Sequence, residues 1–276
     1  MPAQDWFSLA QFFMSDIFSG SHHQVDVIAH RGGKGEAPEE TLFAFANAKK
    51  LGVDVLEMDI RVTRDGELVI MHNPTVIATT NGWLPVRCYR LADLQKLDAA
   101  YKWNPNGLPK PPHRGEGIIV PTFRQVLEQF RDMRMNIEIK GWHPLDAKRI
   151  AKKFCDLLVE FGMTRRVLVA SFHSPVLRVI RKELPEVAIS ASTFQVIRFV
   201  VSSRWGTGRY RPNVAAIETL SKSINRRLVE NARKHGLKLD AFTVNEVEEM
   251  KRLIDLGVDG IITDFPTQLL DQRRTL

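Results

Sequence analysis

The stretch 25-VDVIAHRGGKGEAPEETLFAFANAKKLGVDVLEMDI-60 reads as strand, turn, helix, strand. Two β-branched runs, 25-VDVIAH and 53-VDVLEMDI, flank the helical pattern 41-TLFAFANAKKL. The same alternation continues to the end of the chain. Strands are expected at 136-NIEIK, 166-RVLVAS, 187-VAISAS, 214-VAAIET, 238-KLDAFTV and 260-GIITD. Helices are expected at 146-DAKRIAKKFCDLLVEF, 174-SPVLRVIRKEL, 225-NRRLVENARKHG and 245-NEVEEMKRLIDLG. In the last of these Asn245 reads as an N-cap with Glu248 three residues on, and Gly257 as the stop. Strands alternating with helices indicate parallel βαβ units, and eight of them in about 250 residues favour a (β/α)8 TIM barrel over an open sheet. The 32-GGKG-35 turn lacks G-x-G-x-x-G spacing, which counts against a dinucleotide fold.

One connection is far longer than the rest. After the second strand, 62-VTRDGELVIMHNPT reads as a hairpin turning at Asp65-Gly66. The proline- and glycine-rich 103-WNPNGLPKPPHRGEG-117 follows as loop. We expect an insertion at about residues 74–121 over one end of a barrel spanning 25–276. Residues 1–24 form a separate N-terminal segment. Its apolar residues Trp6, Phe7, Leu9, Phe12, Phe13 and Ile17 recur at helical spacing, which suggests a short helix packed on the body. A membrane-surface anchor is the alternative, giving a peripheral membrane contact.

Composition bounds the function classes. The chain has 276 residues, 44% hydrophobic and 26% charged, as in an ordinary soluble protein. No apolar run approaches the roughly 20 residues needed to span a bilayer, and the start lacks the basic region of a secretory signal. Cys88 and Cys155 have no ligand-like spacing, so a disulfide framework or zinc site is not expected and a cytoplasmic setting is the default. The net charge of +7 suits an anionic partner, but the charge is scattered. No nucleic-acid module accompanies it, so nucleic-acid binding ranks last.

In a barrel of this kind, active groups sit at the C-terminal ends of the strands. Those ends carry His30 and Arg31, then Glu57 and Asp59, then Glu138 and Lys140. Residues two apart on a strand share a face, so each acidic pair member projects with its partner. Three carboxylates among apolar neighbours are costly to bury without purpose. Converging carboxylate oxygens suit a hard divalent cation, Mg2+ or Ca2+. Arg31 and Lys140 would then face a bound anion. His72, ending 68-LVIMH-72, joins His30 as a candidate general acid and base. An internal salt-bridge network is the competing reading of the set. The remaining histidines, His22, His23, His113, His143 and His235, read as ordinary surface or core residues.

The stretches 30-HRGGKGEAPEETLFAFANA-48, 56-LEMDIRVTRDGELVIMHNPT-75, 136-NIEIK-140 and 242-FTVNEVEEMKRLIDLGVDGIITDFP-266 resemble the glycerophosphodiester phosphodiesterase family. The resemblance runs from about residue 25 to the C-terminus and implies a (β/α)8 barrel with an insertion after the second strand. It implies a divalent metal on Glu57, Asp59 and Glu138, catalytic histidines at His30 and His72, and Arg31 and Lys140 near the phosphate. Glu39 is expected to brace the site and Phe242 to wall it. Three positions depart from the family pattern. Glu40 and Asn73 stand where the family commonly has Asn and Asp, and Phe242 where it has Trp.

The expected reaction is hydrolysis of a glycerophosphodiester to an alcohol and sn-glycerol 3-phosphate. One alternative is lysophospholipase D action on a lysophospholipid, with the apolar N-terminal segment, Trp103, Trp142, Phe194, Phe199 and Trp205 as candidate walls of an acyl groove; core or rim packing is the favoured reading of all of them. Another is a catalytically impaired module that binds anions. The second His-Arg-Gly, at residues 113–115, is expected in the lid rather than the site.

Overall fold

The structure, a computed structural model, describes residues 24–140, 147–171, 174–205 and 208–274. The expected N-terminal helix, Trp142 and His143 lie outside the described residues.

Among the described residues there are nine strands: β1 (Asp26–Ala29), β2 (Val55–Val62), β3 (Leu68–Ile70), β4 (Arg134–Ile139), β5 (Val167–Ala170), β6 (Ala188–Ile189), β7 (Ala216–Leu220), β8 (Lys238–Phe242) and β9 (Gly260–Thr263). Eight run parallel in the order β6-β5-β4-β2-β1-β9-β8-β7, and β3 turns back antiparallel onto β2. The two ends of the ring meet at a parallel bridge between Ser190 and Ala216. Ala191 N–H donates to Ala216 O and Ala215 N–H to Ile189 O, both at 2.9 Å. The result is a (β/α)8 barrel. Its helices are α1 (Leu42–Leu51), α2 (Phe123–Phe130), α3 (Ala147–Glu160), α4 (Ser174–Glu183), α5 (Thr193–Arg204), α6 (Arg226–Lys234), α7 (Val247–Leu256) and α8 (Pro266–Arg274).

The strands explain where the core sits. Along β2 the side chains alternate, so Leu56, Met58 and Ile60 leave on one face and Val55, Glu57 and Asp59 on the other. The first set joins Phe45, Phe123 and Phe154 in the large apolar layer between sheet and helices. The barrel interior has much less carbon, with Ile28, Val55 and Ile262 packed against Phe242 in one small cluster. Charge fills the rest. Arg134 makes a two-pronged bond to Asp26 at 2.7 and 3.0 Å, and Lys238 Nζ lies 2.9 Å from Asp240 and 3.2 Å from Asp26. Barrel interiors usually fill this space with Val, Ile and Leu.

The long connection after β2 packs around its own small cluster of Val69, Met71, Val76, Val86, Leu94, Ala99 and Val120. The second His-Arg-Gly belongs to that unit. Arg114 stacks 4.1 Å from the Tyr101 ring centre and donates to Tyr101 O, while His113 pairs with Glu116 at 2.8 Å. Trp103 donates its indole N–H to Lys34 O at 2.8 Å, tying the connection to the loop after β1. No helix among the described residues is long and apolar enough to cross a membrane.

The buried charge inside the barrel has a measurable consequence. Burial pushes the Asp240 carboxyl up to about 7, with Lys238 only partly opposing it. A carboxyl whose folded pKa is raised contributes stability below its unfolded value and loses it progressively up to the folded one. The contribution of Asp240 to thermal melting should therefore fall as pH rises from the ordinary 3.8 to about 7, where it is fully lost. Asp240→Asn should flatten that limb, whereas an unchanged slope would reject the assignment.

Candidate active site

The loop after β1 is built for close approach. His30 begins a single 3-10 turn, in which Arg31 has φ 51° and the following Gly32 and Gly33 have φ 79° and 86°. A Cβ on Gly32 would come within 2.8 Å of the Ala44 Cβ, so only glycine lets the turn pack on α1. Glu40, with φ 61°, is the other left-handed non-glycine among the described residues, and its N–H donates to Arg31 O at 3.1 Å. Left-handed conformations of this kind cost on the order of 1 kcal/mol or more each and persist where surrounding contacts over-determine them. Both lie beside the acidic cluster.

That cluster follows from strand register. Asp59 on β2 stands opposite Glu138 on β4, and Glu57 stands opposite Asn136. Lys140 Nζ lies 2.9 Å from Asp59 Oδ1 and 2.7 Å from Glu138 Oε2. Glu57 Oε2 accepts the Arg31 N–H at 2.7 Å. The Arg31 guanidinium donates to Glu39 at 3.0 Å and lies 3.6 Å from Asp59. Glu40 is buried under the cluster and accepts the Asp59 N–H at 3.1 Å. Asp59, Glu57, Glu138, Arg31, Lys140 and Glu39 are thus brought together.

The electrostatics are those of crowded negative charge. Burial, and then the charge of Asp59, pushes the Glu57 carboxyl well above its usual range. Glu40 is raised for the same two reasons. Burial alone would raise Asp59, but the Glu40 carboxyl and the Lys140 ammonium outweigh it and hold Asp59 low. Both Asp59 carboxylate oxygens and Glu138 Oε1 are buried and accept no well-formed hydrogen bond. Buried orphan oxygens on an all-carboxylate set fit a hard cation. As the side chains stand, no three carboxylate, His or Cys groups among the described residues converge on one point. Glu57 is held by the Arg31 N–H and Lys140 lies between Asp59 and Glu138.

The two histidines have different supports. His30 Nδ1 lies 2.5 Å from Asp264 Oδ1, at the end of β9. Asn245 donates to the other Asp264 oxygen at 2.8 Å and accepts the Asp264 N–H at 3.0 Å. Lys34 Nζ lies 3.4 Å from the same carboxylate. Burial works upward on Asp264, but its bond to His30 and then Asn245 and Lys34 hold it below the usual carboxylate range. His72 Nδ1 lies 3.2 Å from Asn73 Oδ1, and its carbonyl accepts two bonds from Arg61 at 2.9 and 2.6 Å. Burial pushes the His72 imidazole below its ordinary 6.5, with Arg31 and Lys140 acting the same way against Asp59.

Sequence reasoning missed the Asp264–Asn245 support. Asn245 was expected to cap α7, yet that helix starts at Val247 without a side-chain cap because the Asn245 amide is committed to Asp264. The run 260-GIITDFP held the signal, since it places an acid directly after a strand on the same rim. A cavity of about 460 Å3 opens beside the cluster. It reaches from His30, Glu57 and Glu138 past Phe242 to Leu220 and to Val196 and Ile197 on α5. His72, Arg31 and Lys140 are not among its lining residues. Of the aromatic residues offered as alternative groove walls, none of the described ones lines this cavity. Phe199 is fully buried in the core, Trp103 is held by Lys34, and Phe194 and Trp205 face outward.

Comparison with known proteins agrees with this geometry. The profile of the Glycerophosphoryl diester phosphodiesterase family matches residues 30–268. A glycerophosphodiester phosphodiesterase of Caldanaerobacter subterraneus subsp. tengcongensis is 35% identical over 247 residues, covering 89% of this chain and 96% of the relative. Among solved structures, the glycerophosphodiester phosphodiesterase of Agrobacterium tumefaciens superposes with a TM-score of 0.73 at 25% identity, covering 90% and 99% of the two chains. An Oleispira antarctica phosphodiesterase in complex with the product sn-glycerol-3-phosphate shares the fold, with a TM-score of 0.73 at 23% identity over 90% and 96% of the chains. With a barrel closed by eight parallel strands and an acidic, histidine-bearing rim, this chain belongs to the glycerophosphoryl diester phosphodiesterase family and is a phosphodiesterase.

Proposed function

We propose that the chain hydrolyses glycerophosphodiesters to an alcohol and sn-glycerol 3-phosphate, using a divalent cation, Mg2+ or Ca2+, and a histidine pair. The observation that carries this reading is the single rim that gathers His30, Arg31, Glu57, Asp59, Glu138 and Lys140. The related phosphodiesterase bound to sn-glycerol-3-phosphate supports the product assignment.

Glu57, Asp59 and Glu138 would hold the cation, which supplies charge stabilisation at the phosphate and lowers the pKa of a coordinated hydroxyl. Arg31 and Lys140 face the phosphate oxygens, with Glu39 fixing the Arg31 fork and Phe242 walling the substrate. His72, kept neutral by burial, accepts the proton of the glycerol 2-hydroxyl as its oxygen attacks phosphorus. The phosphorus–oxygen bond to the alcohol breaks, and the departing oxygen takes a proton from His30 Nε2. Asp264 fixes the His30 ring through Nδ1 and supplies the counter-charge while that ring carries the proton. Water then opens the cyclic phosphate with the two histidines exchanging roles.

Turnover of glycerophosphocholine should vanish with EDTA and return on adding Mg2+ or Ca2+. Glu57→Gln and Glu138→Gln should each lower the cation-dependent rate by at least about 100-fold, in keeping with the several kcal/mol such charge stabilisation supplies. Retained activity in either would reject the three-carboxylate site. His30→Ala and His72→Ala should lower kcat by about 10²–10⁴ without a matching change in cation affinity.

The departure at Asn73 yields a test of the base assignment. The rate of the wild type should rise with pH through a group titrating below 6.5. Asn73→Asp places a carboxylate on His72 Nδ1 and should move that limb upward by about one pH unit. A limb that stays in place would assign the base elsewhere.

A further inference from the structure

Helix α5 carries an apolar stripe that nothing in the described chain covers. Phe194, Ile197 and Val201 recur at spacings of three and four residues, and Trp205 continues the line just past the helix end. Phe194 is 71% exposed, Ile197 57%, Val201 43% and Trp205 72%. Leu220, at the end of β7, is 63% exposed on the same rim. Scattered exposed apolar residues need no explanation, but a contiguous line of large ones marks an interaction surface.

Two further observations say what that surface meets. The first is charge. From Val187 to Ile217 the chain contains no Asp or Glu, yet it carries Arg198, Arg204, Arg209 and Arg211. Arg198, Arg209 and Arg211 line one shallow cleft together with Val201 of the stripe, and Arg198 stacks 4.3 Å from the Tyr210 ring centre. Large apolar side chains flanked by arginines, on a short helix and the segment that follows it, suit the interface of an anionic lipid surface. The second is continuity. Ile197 and Leu220 belong both to the exposed stripe and to the lining of the catalytic cavity. The stripe therefore borders the cavity that His30, Glu57 and Glu138 also line.

We propose that the α5 stripe and its arginines dock the protein on an anionic lipid surface.

The test uses the full chain, sedimented with vesicles of phosphatidylcholine with and without phosphatidylglycerol. The wild type should bind the anionic vesicles more tightly and lose binding as salt rises. Phe194→Ser combined with Trp205→Ser should weaken partition at least about tenfold. The same variant should leave glycerophosphocholine turnover unchanged, since neither residue lines the cavity. Arg209→Glu with Arg211→Glu should remove the preference for anionic vesicles. Failure of the wild type to bind vesicles, or unaltered binding by the Phe194/Trp205 variant, would overturn the proposal. So would a dimer of the free protein that those substitutions dissociate, since a second copy would then own the stripe.

Discussion

The site depends on one constraint: β2 and β4 lie side by side in a register that sets Asp59 against Glu138 and brings Glu57 to the same rim. Unscreened, these carboxylates repel each other, and burial makes the repulsion stronger. The chain offsets part of it with Lys140 between Asp59 and Glu138, and with Arg31 set against Glu39 and Asp59. What remains is Asp59 Oδ2 and Glu138 Oε1 buried without a hydrogen bond, and Asp59 Oδ1 set only against the Lys140 ammonium, a donor set that suits a hard cation. The left-handed turns at Arg31 and Glu40 are consistent with this, because both place polar groups against the cluster at a conformational cost.

The two histidines have unlike supports on one barrel rim. His30 is held by a carboxylate that is itself fixed by an amide and a lysine. His72 has the Asn73 side chain on its ring and lies in a setting that favours the neutral form. The replacement of the family's aspartate by Asn73 sharpens the difference, since an amide lends the ring no charge.

Much of this was legible in the sequence because its signals are local. β-branched runs of four to eight residues alternating with 3.6-period patterns placed all eight barrel strands, and the strand-end rule selected His30, Glu57, Asp59 and Glu138 for attention. The support around them was not legible, because it is made by distant segments. Asp264 reaches His30 across 234 residues, and Asn245 looked like an ordinary helix cap. Helix α5 escaped notice for a different reason. Its FQVIRFVV core is β-branched and aromatic, so propensity favours a strand, whereas its place between β6 and β7 imposes a helix. Among the aromatic candidates, composition could not tell the buried Phe199 from the exposed Phe194 and Trp205.

The central claim is that the β2–β4 carboxylates are a cation site and not a finished salt-bridge network. Anomalous diffraction from crystals soaked in Mn2+ tests it most directly. The account predicts one strong peak bounded by oxygens of Glu57, Asp59 and Glu138, with Lys140 Nζ displaced from its position between Asp59 and Glu138. A peak bound by other residues, or none at this rim with the Lys140 pairs intact at saturating Mn2+, would contradict it.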